Sequence, residues 1–273
     1  MTSSHDALYR AICAHPDEDT PRLAFADLVE EEGDSRRGEF IRTQIALSHS
    51  PNYDAVWVNA RQHDPDAITG WCMTHVLPKM PAGCSWQRFE FRRGFPWKVA
   101  VLSLATFLQS GTATFDAAPI QAIDLDQRDR PDLNSLAQWR ELSRVQRLAL
   151  STGWYGAREI SRLTDSPHIG KLSELSFEYE SLAPDGLAAL VASPLFQQIR
   201  VLELNTNAIP TALFVDSLGA LRDARSLSRL AMPYNRIGQN DAAQLFALPL
   251  LRDIQELELN DNPLGAEGFR ALA

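Results

Sequence analysis

Five leucines frame this chain. Leu148, Leu175, Leu202, Leu230 and Leu257 recur at spacings of 27, 27, 28 and 27 residues. A period of that length marks a chain built from stacked units, and it constrains every local reading. Three residues before each leucine stands Val145, Leu172, Ile199, Leu227 or Ile254. Two residues after it stands Leu150, Phe177, Leu204, Met232 or Leu259, and seven after it Tyr155, Leu182, Ile209, Ile237 or Leu264. No position in these four columns is charged, although 22% of the chain is. The alternation after each central leucine predicts a short strand with one buried face. Further on, Ile160 with Leu163, Leu187 with Leu190 and Phe269 with Leu272 fall at helical spacing. Pro167, Pro194 and Pro249 close several units. Each unit is therefore strand, turn, helix, turn. None can bury its apolar face alone, so the units must stack.

Five residues after each central leucine the column reads Gly153, Glu180, Asn207, Asn235, Asn262. An asparagine amide both donates and accepts, which suits the backbone groups of a tight turn. Gly156, Ala183, Pro210, Gly238 and Gly265 follow. The run L-E-L-N-D-N-P-L-G-A-E-G-F-R-A-L-A, Leu257 to Ala273, resembles the ribonuclease-inhibitor class of leucine-rich repeat. The resemblance is strongest in the last three repeats and covers roughly Val145 to Ala273. It implies an α/β solenoid with parallel strands on the concave face and helices on the convex face.

Upstream the pattern fades. Ile120, Ile123 and Leu125 repeat the strand spacing, but Arg130 stands where an apolar residue is expected, so this reads as a degenerate coil. Trp86, Phe89 and Phe91 alternate like a strand, Arg92 to Gly94 reads as a turn, and Phe95 to Leu102 as a second strand. That hairpin is expected to cap the solenoid, since an open coil exposes apolar surface and sheet edges. At the other end Ala273 falls inside the last helix. Self-shielding, a covering partner and a truncated sequence are all consistent with that.

The N-terminal segment reads as helices. Thr20 and Pro21 are a suitable N-cap and first helical residue, Gly33 a stop, and Ser35 a candidate cap for the next helix. The string from His15 to Leu47 resembles the repeat-companion domain, a short helical domain of bacterial proteins found beside leucine-rich and other repeats. Asp19, Pro21, Arg22, Leu23, Ala26, Asp27, Glu30, Glu31, Gly33 and Asp34 carry the first half of its motif. Arg37, Glu39, Phe40, Ile41, Arg42 and Gln44 carry the second. Leu28 and Val29 replace the usual Trp-Leu pair. The resemblance implies an architecture and no activity. The expected organisation is a helical domain at 1–50, a helical connector at 51–85, a hairpin cap at 86–118 and the solenoid at 119–273.

Composition narrows the function. A net charge of -9 and a pI near 5.2 argue against a general nucleic-acid binder and against adhesion to anionic membranes. No stretch is long and apolar enough for a membrane span, and Met1 to Asp6 lacks the features of a secretory signal. Three irregularly spaced cysteines, Cys13, Cys72 and Cys84, do not form a disulfide framework. A cytoplasmic protein with free thiols is expected.

Catalytic readings are weaker than structural ones. Cys72 and His75 supply a C-x-x-H pair, with Cys84 and His63 nearby, but the paired spacing of a zinc site is missing. Cys13 and His15 stand two apart, so on a helix they diverge. Asp27 and Glu30 are better read as partners of Arg37 or Arg42 between adjacent helices. Phosphate-binding glycine loops and the G-x-S-x-G and H-E-x-x-H motifs are absent from the sequence. No catalytic residue, metal or cofactor is expected.

The remaining signal lies on the sheet. Strand residues between the buried leucines point to the opposite face. The expected partner-binding set is Asp124, Asp126, Glu174, Glu178, Tyr179, Glu203, Asn205, Tyr234, Glu256, Glu258 and Asp261. Arg147 and Arg229 are the bases on a surface where acids dominate. Carboxylates on neighbouring strands repel unless compensated, so either solvent or a basic protein segment is expected there, with the two tyrosines as anchors. A non-enzymatic interaction module or scaffold follows. The alternatives are an enzyme regulator, such as an inhibitor or GTPase-activating protein, which the resemblance to this repeat class permits, and a small metal protein or hydrolase around Cys72, His75 and Cys84.

Overall fold

A computed structural model describes residues 4–49, 77–79, 82–86, 91–110, 112–125, 132–151, 153–179, 181–207, 209–219 and 226–272. The chain is α/β, with an N-terminal helical region followed by a parallel sheet with helices. It divides into two compact units, Met1–Ala100 with Gln109–Gln121, and Val101–Leu108 with Ala122–Ala273. No described helix is long and apolar enough to cross a membrane.

The first unit opens with α1 (Ser4–Ala14), α2 (Thr20–Glu31) and α3 (Ser35–Ser48). Ile12, Phe25, Ala26, Val29, Ile41, Ile45 and Phe95 form its core. The caps sit one residue earlier than the sequence suggests. Asp19 occupies the N-cap of α2 but makes no capping bond, because its carboxylate meets His49 at 2.7 Å and Arg93 at 3.4 Å. Asp34, not Ser35, caps α3 by accepting the Arg37 amide at 3.1 Å. Arg42 takes both Asp27 and Glu30, at 2.6 and 2.7 Å. Arg37 instead lies 4.9 Å from the centre of the Phe95 ring.

Phe95 reaches that core from a short antiparallel hairpin. β1 is Cys84–Ser85, β2 Phe91–Arg92 and β3 Phe95–Pro96. β2 and β3 pair through a two-residue turn at Arg93 and Gly94, both left-handed with φ of 55° and 81°, as hairpin twist favours. The second strand foreseen from Phe95 to Leu102 is broken in two, with β4 at Lys98–Val101. α4 (Leu104–Ser110) and α5 (Ala113–Ala117) follow. The helices expected within residues 51–76 lie outside the described residues, as do Arg130 and Phe89. Trp86 is described and belongs to no strand, so the alternating strand expected from it to Phe91 does not begin there.

The second unit carries the repeats. β5 (Ala122–Leu125), β6 (Arg147–Leu150), β7 (Glu174–Glu178), β8 (Val201–Asn205), β9 (Arg229–Ala231) and β10 (Glu256–Glu258) run parallel in chain order. Ile123, Leu148, Leu175, Leu202, Leu230 and Leu257 are register partners along the sheet. The period in the sequence is thus the period of the hydrogen-bond ladder. α6 (Leu133–Gln138), α7 (Ala157–Thr164), α8 (Pro184–Ala192), α9 (Thr211–Gly219), α10 (Gln239–Phe246) and α11 (Gly265–Leu272) alternate with the strands. Ile160 with Leu163 and Leu187 with Leu190 are fully buried, as their spacing demands. Phe269 departs from this and is 63% exposed. Pro194 and Pro249 open the short 3-10 turns that lead into β8 and β10.

An asparagine ladder ties the turns. The Asn207 side chain donates to the Phe177 carbonyl at 2.7 Å and accepts the Leu182 amide at 3.1 Å. Asn235 donates to the Leu204 carbonyl and accepts the Asn207 amide at 3.0 Å. Asn262 donates to the Met232 carbonyl at 2.8 Å and accepts the Asn235 amide at 2.9 Å. Each side chain joins the preceding coil with both of its functions, which explains why this amide recurs there.

Candidate functional site

The leucine register fixes which charges become neighbours. One row across the sheet reads Ala122, Arg147, Glu174, Val201, Arg229, Glu256. The next row on the same face reads Asp124, Ala149, Ser176, Glu203, Ala231, Glu258. No two carboxylates are direct register partners in either row. The repulsion anticipated from the surplus of acids is relieved by this alternation.

Two arginines complete the compensation. Arg147 meets Glu174 at 3.5 Å and Glu203 at 2.8 Å. Arg229 meets Glu203 at 3.6 Å, Glu256 at 3.2 Å and Glu258 at 3.0 Å. Glu203 is shared between them and is only 8% exposed. Burial alone would pull the Arg147 guanidinium down, but Glu203, Glu174 and Asp124 outweigh it and hold its pKa above the ordinary range. Ala149 on the same strand as Arg147 and Ser176 on the strand it crosses are buried as well. The middle of the face is therefore a closed ionic network rather than an open acidic surface.

Carboxylates still outnumber cations. The network holds Glu174, Glu203, Glu256 and Glu258 against Arg147 and Arg229, with Asp124 acting on Arg147 from β5. Glu256 is exposed and Glu258 half-buried. Glu178 ends β7, half-buried, and Asp261 is exposed just beyond β10. Asn205 ends β8, where its carbonyl accepts the Tyr179 amide at 3.2 Å. Asp126 lies outside the described residues.

The strand exits form a second feature. Tyr179, Thr206, Tyr234 and Asp261 all stand four residues after their central leucine, and all are left-handed, with φ of 54°, 55°, 58° and 57°. Tyr179 is 68% exposed and Tyr234 57%. Asp261, one strand along in the same row, is the main cause that raises the pKa of the Tyr234 hydroxyl. Sequence reasoning placed the tyrosines but not Thr206 or the shared backbone conformation. It also placed both arginines without pairing them. Reading the face row by row would have set Arg147 beside Glu174 and Arg229 beside Glu256. The reach of Arg147 to Glu203, two strands away, has no such signal.

Among the described residues no group of three or more His, Cys, Asp or Glu side chains is arranged to hold a metal ion. Cys72, His75 and His63 lie outside those residues. Cys84 is half-buried, and burial pushes its thiol up. Cys13 is buried and donates to the Asp116 carbonyl at 3.6 Å. A cavity of about 10 Å³ lies among apolar side chains including Leu204, Phe214 and Leu245. It is roughly the size of one water molecule. No protein-family model matches the chain, and no curated protein matches it.

Proposed function

We propose that this chain is a non-enzymatic, cytoplasmic protein-interaction module. Its repeats form a leucine-rich solenoid beside a repeat-companion domain, and the face bearing Arg147 and Glu203 docks a basic segment of a protein partner. The observation that carries this reading is the surplus of carboxylate on a pre-ordered ionic network. Ordered side chains lose little further entropy on binding. The uncompensated charge at the rim favours a cationic partner and speeds its approach. Exposed tyrosines beside that charge are the residue type enriched at binding hot spots.

The test is capture from the source-cell lysate at low salt, elution by rising salt, and reconstitution of the retained protein with the purified chain. A Glu256→Lys, Asp261→Asn variant runs alongside. Glu203 is left alone because its burial between two arginines makes it part of the fold. A basic partner that binds the native chain directly and the variant at least about tenfold more weakly supports the reading, the loss expected for two charge contacts. Partners that bind both alike place docking elsewhere and overturn it.

A further inference from the structure

The tyrosine row says more about the partner, provided the interaction reading above holds. Tyr179, Thr206 and Tyr234 are not on a loose loop. Their amides bond to the next coil, Tyr179 to Asn205 at 3.2 Å, Thr206 to Pro233 at 3.1 Å and Tyr234 to Asn260 at 3.1 Å. Adjacent strands in a sheet lie about 4.8 Å apart, which puts the two tyrosine backbones roughly 10 Å apart. Thr206, a small residue, stands between them. Each tyrosine has a carboxylate near it in the fold: Glu178 ends β7 immediately before Tyr179, and Asp261 holds the position beside Tyr234 on the neighbouring strand exit.

An exposed aromatic ring beside a carboxylate suits one side chain above others. The ring takes the flat face of a guanidinium, and the carboxylate takes its N–H edge. A lysine ammonium lacks the plane, and an anion is repelled. We propose that Tyr179 with Glu178 and Tyr234 with Asp261 are two arginine seats, filled together by a helical segment of the partner lying across the strand ends. The spacing selects the helix. Seven helical residues rise about 10.5 Å and return to the same face. In an extended segment, residues on one side lie about 6.6 or 13 Å apart and straddle the span.

The test uses the full chain and three constrained helical peptides of equal charge: arginines at i and i+7, arginines at i and i+4, and lysines at i and i+7. Binding is read by fluorescence anisotropy at low salt. The i, i+7 arginine peptide is expected to bind at least about 5-fold more tightly than either other. Tyr179→Ala and Tyr234→Ala should each weaken it about 3- to 5-fold, the size of an exposed cation–π contact. Tyr179→Phe, which keeps the ring, should bind like the native chain. Thermal melts of the variants separate lost binding from lost folding. Equal binding of both arginine spacings, or tyrosine-to-alanine variants that bind normally, overturns the seats and leaves a basic-docking face standing. Failure of every cationic peptide to bind contradicts the face reading itself, and the seats fall with it.

Discussion

Arg147 on β6 crosses β7 to place its guanidinium 2.8 Å from the carboxylate of Glu203 on β8. The contact joins residues 56 positions apart and ties three successive coils. Removing one member of a buried ionic pair leaves the other desolvated and uncompensated, typically a loss of about 3 kcal/mol. Arg147→Met is therefore expected to lower stability by about that much in urea unfolding. The Arg147→Met, Glu203→Met double variant should recover at least half of it. A double variant as unstable as the sum of the two singles would refute the coupling.

The asparagine ladder makes a graded prediction. Asn235 is 7% exposed, and its side chain serves the Asn207 amide and the Leu204 and Pro233 carbonyls. Asn235→Ala leaves buried backbone groups unpaired, at about 1–3 kcal/mol each. Asn262, half-buried, lets water replace part of what it supplies. Denaturation midpoints should therefore fall further for Asn235→Ala than for Asn262→Ala.

Two glycines in the helical unit separate backbone strain from steric exclusion. Gly33 has φ of 99° with nothing near its missing side chain. Gly94 has φ of 81°, and an added Cβ would stand 2.7 Å from the Ile41 backbone. Gly33→Ala should cost about 1 kcal/mol, for the left-handed backbone alone. Gly94→Ala adds overpacking, about 1–3 kcal/mol more, because the hairpin turn must back away from α3. Equal melting temperatures for the two variants would contradict the close approach.

Alkaline pH should reveal two buried groups of opposite sign. Tyr9 donates to the Ala117 carbonyl at 2.9 Å, and burial is the main cause that pushes its pKa well above 10. The stability it contributes is present below pH 10 and is lost as the pH rises further, because the unfolded phenol ionises first. Arg22, 2% exposed and stacked on Phe95, is pulled down to about 10, chiefly by burial. Its burial penalty is relieved above that pH. Tyr9→Phe should cost about 1 kcal/mol at neutral pH. Between pH 10 and 11.5 it should lose less stability than the native chain, measured by urea unfolding at each pH.

The repeating part of the fold was legible because one column of leucines fixes both register and facing. Once Leu148, Leu175 and Leu202 align, every neighbour on the face follows. The left-handed strand exits were not legible, since tyrosine and threonine carry no preference for that conformation and the backbone ladder imposes it. Glu203 was misjudged as a surface acid because burial there depends on how far an arginine two strands away can reach. The burial of Arg22 and Arg37 went unforeseen for a similar reason. Charged residues are expected outside, yet both guanidiniums lie against the Phe95 ring, at 5.2 and 4.9 Å from its centre. In the N-terminal helices, Asp27 and Glu30 were correctly foreseen as structural partners between adjacent helices, with Arg42 taking both.

Carboxyl and tyrosine footprinting of the complex with a reconstituted partner tests the central claim most directly. The account predicts that Glu178, Tyr179, Tyr234, Glu258 and Asp261 become protected from labelling on binding, while Glu267 on α11 and Glu31 on α2 do not. Protection of the helices with an unchanged sheet face would contradict it.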